Sequence, residues 1–150
     1  MVYRTRRRSG RMPIRVLVAM DGSEIAKAAL EYALDVHADA DITVLHVVGQ
    51  PTAMMGEAVS LAFEDDIETA AEDLAADVFD EARDIAAAHD AEISTEVGWG
   101  TPAKEIVSEA EGFDTVVIGS HSGSLADRLF VGNVAEKVFR HSPTPVTVVR

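Results

Sequence analysis

The chain contains no cysteine. That excludes disulfides, thiol catalysis and thiolate metal sites. Aromatic residues make up 5% of it, so the core must come from the Ala, Val, Ile and Leu that dominate the 47% hydrophobic content. No apolar run approaches the roughly 18 residues of a membrane-spanning helix, so no membrane role is expected. The start, MVYRTRRRSGRMPIR, is basic but lacks an apolar stretch and is not a secretory signal. A cytoplasmic location is the expectation. The phosphate-binding run G-x-x-x-x-G-K-[ST] is also missing, and the histidines at 37, 46, 89, 121 and 141 show no metal-ligand spacing.

Lysine is scarce, occurring only at 27, 104 and 137, whereas acidic residues are abundant. Six of the 13 basic residues are Arg4, Arg6, Arg7, Arg8, Arg11 and Arg15. The 135 residues after Arg15 hold seven basic and all 26 acidic residues, a net charge of −19. So acidic a body argues against nucleic acid as a partner. Low lysine with abundant Asp and Glu resembles proteins of salt-accumulating cells, stabilised as KCl screens their self-repulsion; an ordinary acidic bacterial protein is the plain alternative. The basic leader, residues 1–12, is expected to be a disordered tail or to lie upstream of a true start at Met12. An electrostatic arm for an anionic surface is the sharper alternative.

At 150 residues and 16.0 kDa the chain suits one domain, placed at 13–150. Residues 14–20 (IRVLVAM) read as a buried strand, and Asp21 or Ser23 as the cap of a helix carrying Ala26, Leu30, Ala33 and His37. Residues 42–48 (ITVLHVV) form a second strand. A loop is expected over 49–64, including Met54 and Met55, which fold back onto the domain. A helix is predicted over 65–89, with Ile67, Ala71, Leu74, Val78, Ala82 and Ile85 inward and a solvated acidic face outward. Residues 91–97 alternate as a third strand, and Gly98-Trp99-Gly100 reads as a turn, with Trp99 covering the sheet end. Thr101-Pro102 opens a helix running to about Glu111, stopped by Gly112. Strands alternating with helices imply an α/β fold, a doubly wound parallel sheet with helices on both faces. Ligands bind such sheets at the carboxyl ends of the strands.

The most informative stretch is the last third, VVIGSHSGSLADRLFVGNVAEKVFRHSPTPVTVVR. A β-branched run ends at Gly119, a glycine-punctuated segment follows, and an apolar-periodic helix begins near Asn133. Strand, glycine segment and helix N-terminus in that order can converge backbone N–H groups on an anion. Beyond it, 145–150 is a short β-branched terminal strand.

This frame resembles the universal stress protein family, whose ATP-binding members carry G-x2-G-x9-G-[S/T] between the fourth strand and the last helix. Gly119 matches the first glycine and Gly132 the third. Ser122 stands in the second position with Gly123 one place late, and Asn133 replaces Ser or Thr. The resemblance extends through 16–21 and 43–48. It implies five strands in the order 3-2-1-4-5 and a homodimer formed through the edge strand 145–150. It also implies an adenine nucleotide such as ATP, with Mg if bound, at Ala19, Met20, Asp21, Val47, Ile118, Gly119, Ser122, Gly123, Gly132, Asn133 and Val134. In relatives the residue matching Asp21 approaches the nucleoside, the main chain matching Val47 contacts adenine, and the glycine segment and helix start hold phosphates. Asn133 serves as N-cap and phosphate donor on this reading. The plain alternative is that Asp21 caps a helix, Val47 fills core and the glycines permit a turn.

No motif in the chain supplies an obvious base, or a lysine on a triphosphate. Ser120-His121-Ser122 is adjacency without geometry. The expected function is therefore a stress-response regulator that binds nucleotide without rapid turnover, and not an enzyme beyond a slow ATPase. The alternative is a family member that binds no nucleotide and acts through protein contacts, its client proteins unspecified by the sequence.

Overall fold

The computed structural model describes residues 13–49, 57–120 and 132–150, and for 57–68 the helical backbone alone. The leader 1–12, Met54 and Met55, and His121, Ser122 and Gly123 lie outside the described residues. The elements run β1 (Arg15–Ala19), α1 (Glu24–Val36), β2 (Asp41–Val48), α2 (Glu57–Ala88), β3 (Ile93–Trp99), α3 (Pro102–Ala110), β4 (Thr115–Gly119), α4 (Asn133–His141) and β5 (Val146–Val149). All strand pairs are parallel, in the order β3-β2-β1-β4-β5.

A parallel strand in the middle of a covered sheet must be apolar on both faces. β1 meets that demand: Val16 and Val18 pack into one cluster with α1 and α2, and Leu17 into the other with α3 and α4. The first cluster holds Ala26, Ala29, Leu30 and Ala33 of α1 beside Ala75, Val78, Phe79 and Ala82 of α2. The second joins Ala103, Ile106 and Ala110 of α3 to Ala135 and Val138 of α4. Alanine at the helix contacts lets the helices lie close to the sheet, consistent with a core poor in aromatics.

Several local expectations change. α2 begins at Glu57, within the stretch read as a loop. The residues EAVSLAFE hold neither Gly nor Pro, and nothing in them stops a helix that starts after Gly56. Its inward stripe is Ala75, Val78, Phe79, Ala82 and Ala86, while Leu74 is 57% exposed. The stripe thus lies partly off the predicted one. Glu72, Asp73, Asp77, Asp80 and Glu81 occupy the exposed face. β3 starts at Ile93 and continues through Gly98 and Trp99, because β2 carries the ladder to Val47↔Gly98 and Val48↔Trp99. The turn is made by Gly100 alone, at φ +125°. Thr101 stands at the N-cap of α3, yet its side chain makes no capping bond.

Ion pairs stitch the α1–α2 layer. Lys27 lies 3.0 Å from Glu24 and 3.4 Å from Glu81, and its pKa is raised by the bonds to Glu24 and then Glu81. On the opposite face Glu109 is held above the usual carboxylate range by burial and by the neighbouring Glu96.

His89 joins the ends of the two helices. Its Nδ1 lies 2.9 Å from the Ile85 carbonyl and its Nε2 lies 3.2 Å from Asp35 Oδ1. Both partners accept, so both nitrogens donate only in the imidazolium form. The pKa is raised, first by the Ile85 carbonyl and further by Asp35 and Glu31, against the burial that lowers it. A raised folded pKa adds stability below the unfolded value of about 6.5, and that stability is lost as pH rises through the folded pKa. His89→Gln should therefore cost most stability near pH ~6 and least near pH ~8. Thermal melts of both proteins across that window check it; a pH-independent difference would show that the imidazolium contributes nothing.

Candidate functional site

The sheet divides at the seam between β1 and β4. Their ladder ends at Val18↔Val117. β1 stays with β2 for a further step, Ala19↔Leu45, extended by Met20 N–H to the Leu45 carbonyl at 2.9 Å. β4 stays with β5 to Gly119↔Val149, extended by Ser120 N–H to the Val149 carbonyl at 2.7 Å. Each strand tip is thus held by its outer neighbour. The carboxyl ends part where the strand order reverses, which is where ligands enter doubly wound sheets.

The predicted residues that the structure describes fall around this seam. Ala19 ends β1 half-buried; Met20 is buried and Asp21 exposed. Asp21 Oδ1 accepts from Ser23 N–H at 3.0 Å, and Ser23 Oγ accepts from Ala26 N–H at 3.2 Å. Ser23 is therefore the N-cap of α1, and Asp21 braces the turn before it. Gly22 sits at φ +84°, a conformation only glycine takes cheaply, so this bend depends on it. Val47 and Ile118 pack in the α3–α4 cluster, Ile118 buried and Val47 half-buried.

Gly132 N–H donates to the Ser120 carbonyl, tying together the two residues that flank 121–131. Gly132 is the N-cap of α4, at φ −62° and ψ 155°, and Asn133 is the first helical residue. This corrects the expectation that Asn133 caps the helix. The side chain of a first-turn residue is not placed to close that turn, and glycine contributes no side chain, so α4 has no side-chain cap bond. The N–H groups of 133, 134 and 135 consequently lack intrahelical acceptors and carry the positive end of the dipole. Asn133 and Val134 are exposed beside them.

Gly119 has a role that the motif did not suggest. A Cβ there would lie 3.0 Å from both Ile25 Cγ2 and Ile25 O, and 3.1 Å from the Ile25 carbonyl carbon. The first turn of α1 rests directly on the end of β4. This close approach, not a ligand, is sufficient reason for glycine.

His46 was the residue least visible in sequence. It is 5% exposed in the middle of a buried strand, with Nδ1 2.8 Å from the Met20 carbonyl and its ring edge-on to Phe79 at 6.4 Å. The signal available was one polar residue inside ITVLHVV, since a buried polar group needs a partner.

A five-stranded parallel sheet in the order 3-2-1-4-5, with helices on both faces, defines a doubly wound α/β protein. The universal stress protein family model matches residues 12–150. The chain belongs to that family. It is 28% identical over 145 residues to the universal stress protein YxiE of Bacillus subtilis, covering 91% of this chain and 98% of that protein. Among solved structures, the universal stress protein UspA from Lactobacillus plantarum superposes with a TM-score of 0.75 at 25% identity, covering 93% and 99% of the two chains. A universal stress protein in complex with cAMP superposes with a TM-score of 0.67 at 25% identity, covering 93% and 99%.

Gly119→Ala should destabilise the fold by about 1–3 kcal/mol through overpacking against Ile25. The loss should be the same with or without added nucleotide. Urea unfolding midpoints measure it; a neutral substitution would show that α1 yields freely at this contact.

Proposed function

We propose that this chain is a stress-response regulator that binds an adenine nucleotide in the seam between β1 and β4 and does not turn it over rapidly. The parting of the strand tips beside the α4 N-terminus is the observation that carries the reading. Its solved relative in complex with cAMP supports the ligand class. The apolar flank of Val47 and Ile118 suits a base, and the N–H groups of 133–135 suit a phosphate. Asp21 would meet the ribose, its neighbours Ala19 and Met20 lining the same bend. Ser122 and Gly123 belong to the phosphate side by their place in the motif. ATP is the nucleotide we favour, with Mg shielding its phosphates. Residues 13–150 form the binding domain on this reading, in the cytoplasm.

A second reading, protein contacts without nucleotide, draws on Gly119, whose glycine is explained by Ile25 alone. Ser122 in place of glycine points the same way. If the backbone there needs positive φ, the side chain costs about 1–2 kcal/mol.

Calorimetry with ATP at high KCl separates the two. Weak binding is expected, tightened about tenfold in Ser122→Gly if ~1.4 kcal/mol of strain is relieved. Asp21→Ala should weaken it. Gly132→Val should abolish it, and since φ −62° suits any residue, that change probes space and not backbone strain. Submicromolar wild-type affinity would show Ser122 harmless, and no binding even in Ser122→Gly would favour the protein-contact reading.

We also propose a homodimer through 145–150. β5 is an edge strand with half-buried valines, and Phe139 of the adjoining α4 is 52% exposed. Edge strands offer unpaired main-chain groups to a copy of themselves. Light scattering should give a dimer at micromolar concentration; a monomer would end the idea.

A further inference from the structure

The ladder between β1 and β2 ends beside one buried polar side chain, His46. In a parallel pair, alternate residues of a strand turn both main-chain groups to the same neighbour. Met20 N–H on the Leu45 carbonyl places Leu45 on the β1 side, so Val47, two residues on, also faces β1. One more step of ladder would bring Val47 N–H onto the Met20 carbonyl. That carbonyl instead receives His46 Nδ1 at 2.8 Å. A carbonyl only accepts, so Nδ1 carries the proton. The ring is held for this bond by burial and by Phe79, whose ring stands at 88° to it.

We propose that His46 is a positioning residue that terminates the β1–β2 ladder and keeps the peptide group of Val47 open to the seam. The imidazole substitutes for the Val47 N–H on the Met20 carbonyl. Val47 then presents a donor and an acceptor side by side at the carboxyl end of β2. That pair serves the adenine contact which the family resemblance already implies for the Val47 main chain: a 6-aminopurine edge, with an acceptor ring nitrogen next to an exocyclic amine, complements it, and a 6-oxopurine edge reverses it. The ligand half of this inference rests on the nucleotide reading above. The half concerning the ladder stands without it.

The test compares wild type with His46→Leu and His46→Phe, the latter keeping a ring against Phe79. Losing the imidazole should let the ladder close one step further. Amide exchange at Val47 should then slow by about tenfold, opposite to the acceleration that simple loosening of the core would cause. ATP affinity should fall by about tenfold in the same variants, and the preference for ATP over GTP should shrink. Unchanged or faster exchange at Val47 would overturn the proposal; slowed exchange with ATP affinity intact would uphold the ladder half and overturn the ligand half. A wild type that binds neither nucleotide would defeat the nucleotide reading, and the exchange comparison would still decide the role of His46.

Discussion

Covering β1 on both faces is the requirement from which the rest of the architecture follows. Val16, Leu17 and Val18 are each 0% exposed. Burial of each such side chain contributes about 1.5–3 kcal/mol, available only if helices lie on both sides. The successive crossovers place α1 and α2 on one face and α3 and α4 on the other. The reversal of direction at β1 then leaves its tip flanked by two strands reached by different routes, β2 and β4. Backbone pairing beyond Val18 is satisfied outward, to β2 and to β5, and the seam results from that choice of partners.

The seam shows how one residue can serve packing and still shape a site. Gly119 lets α1 press on the end of β4, beside the seam. His46 is a buried polar group whose cost is met by the Met20 carbonyl. Neither contact needs a ligand in order to exist. A glycine motif matched in frame is therefore weaker evidence for phosphate than its spacing suggests, and the main-chain donors at α4 and the strand tips carry more weight.

The acidic surface follows a separate logic. Glu72, Asp73, Asp77, Asp80 and Glu81 project from the outer side of α2, with Arg83 beside Asp80 at 3.3 Å. Exposed pairs of this kind are each worth about 0–1 kcal/mol, too little to offset a large excess of one sign. Lys27 and His89 lie instead where α1 meets α2, and they join helices rather than neutralise a surface. Screening by salt is the physical route by which the remaining repulsion falls.

Alternation of short apolar runs with amphipathic helices made the α/β class legible, because strand and helix periods are local properties of the chain. The glycine frame made the family and the strand order legible. The helix caps were half legible: Ser23 or Asp21 at α1 was a fair choice of two, but Asn133 was displaced by Gly132 because the Ser120 carbonyl holds the Gly132 N–H outside the helix. The early start of α2 and the inward face of Ala75 and Phe79 were not legible, since a stripe of alanines has little contrast and only contact with the sheet selects it. The reason for Gly119 was also hidden, as Ile25 lies far from it in sequence and meets it only when α1 crosses β4. His46 was plain as a letter and silent as a role. Composition and periodicity determined which elements form; what their ends touch was decided by tertiary structure, because the partners of buried polar groups and glycines are set by the packing of distant segments.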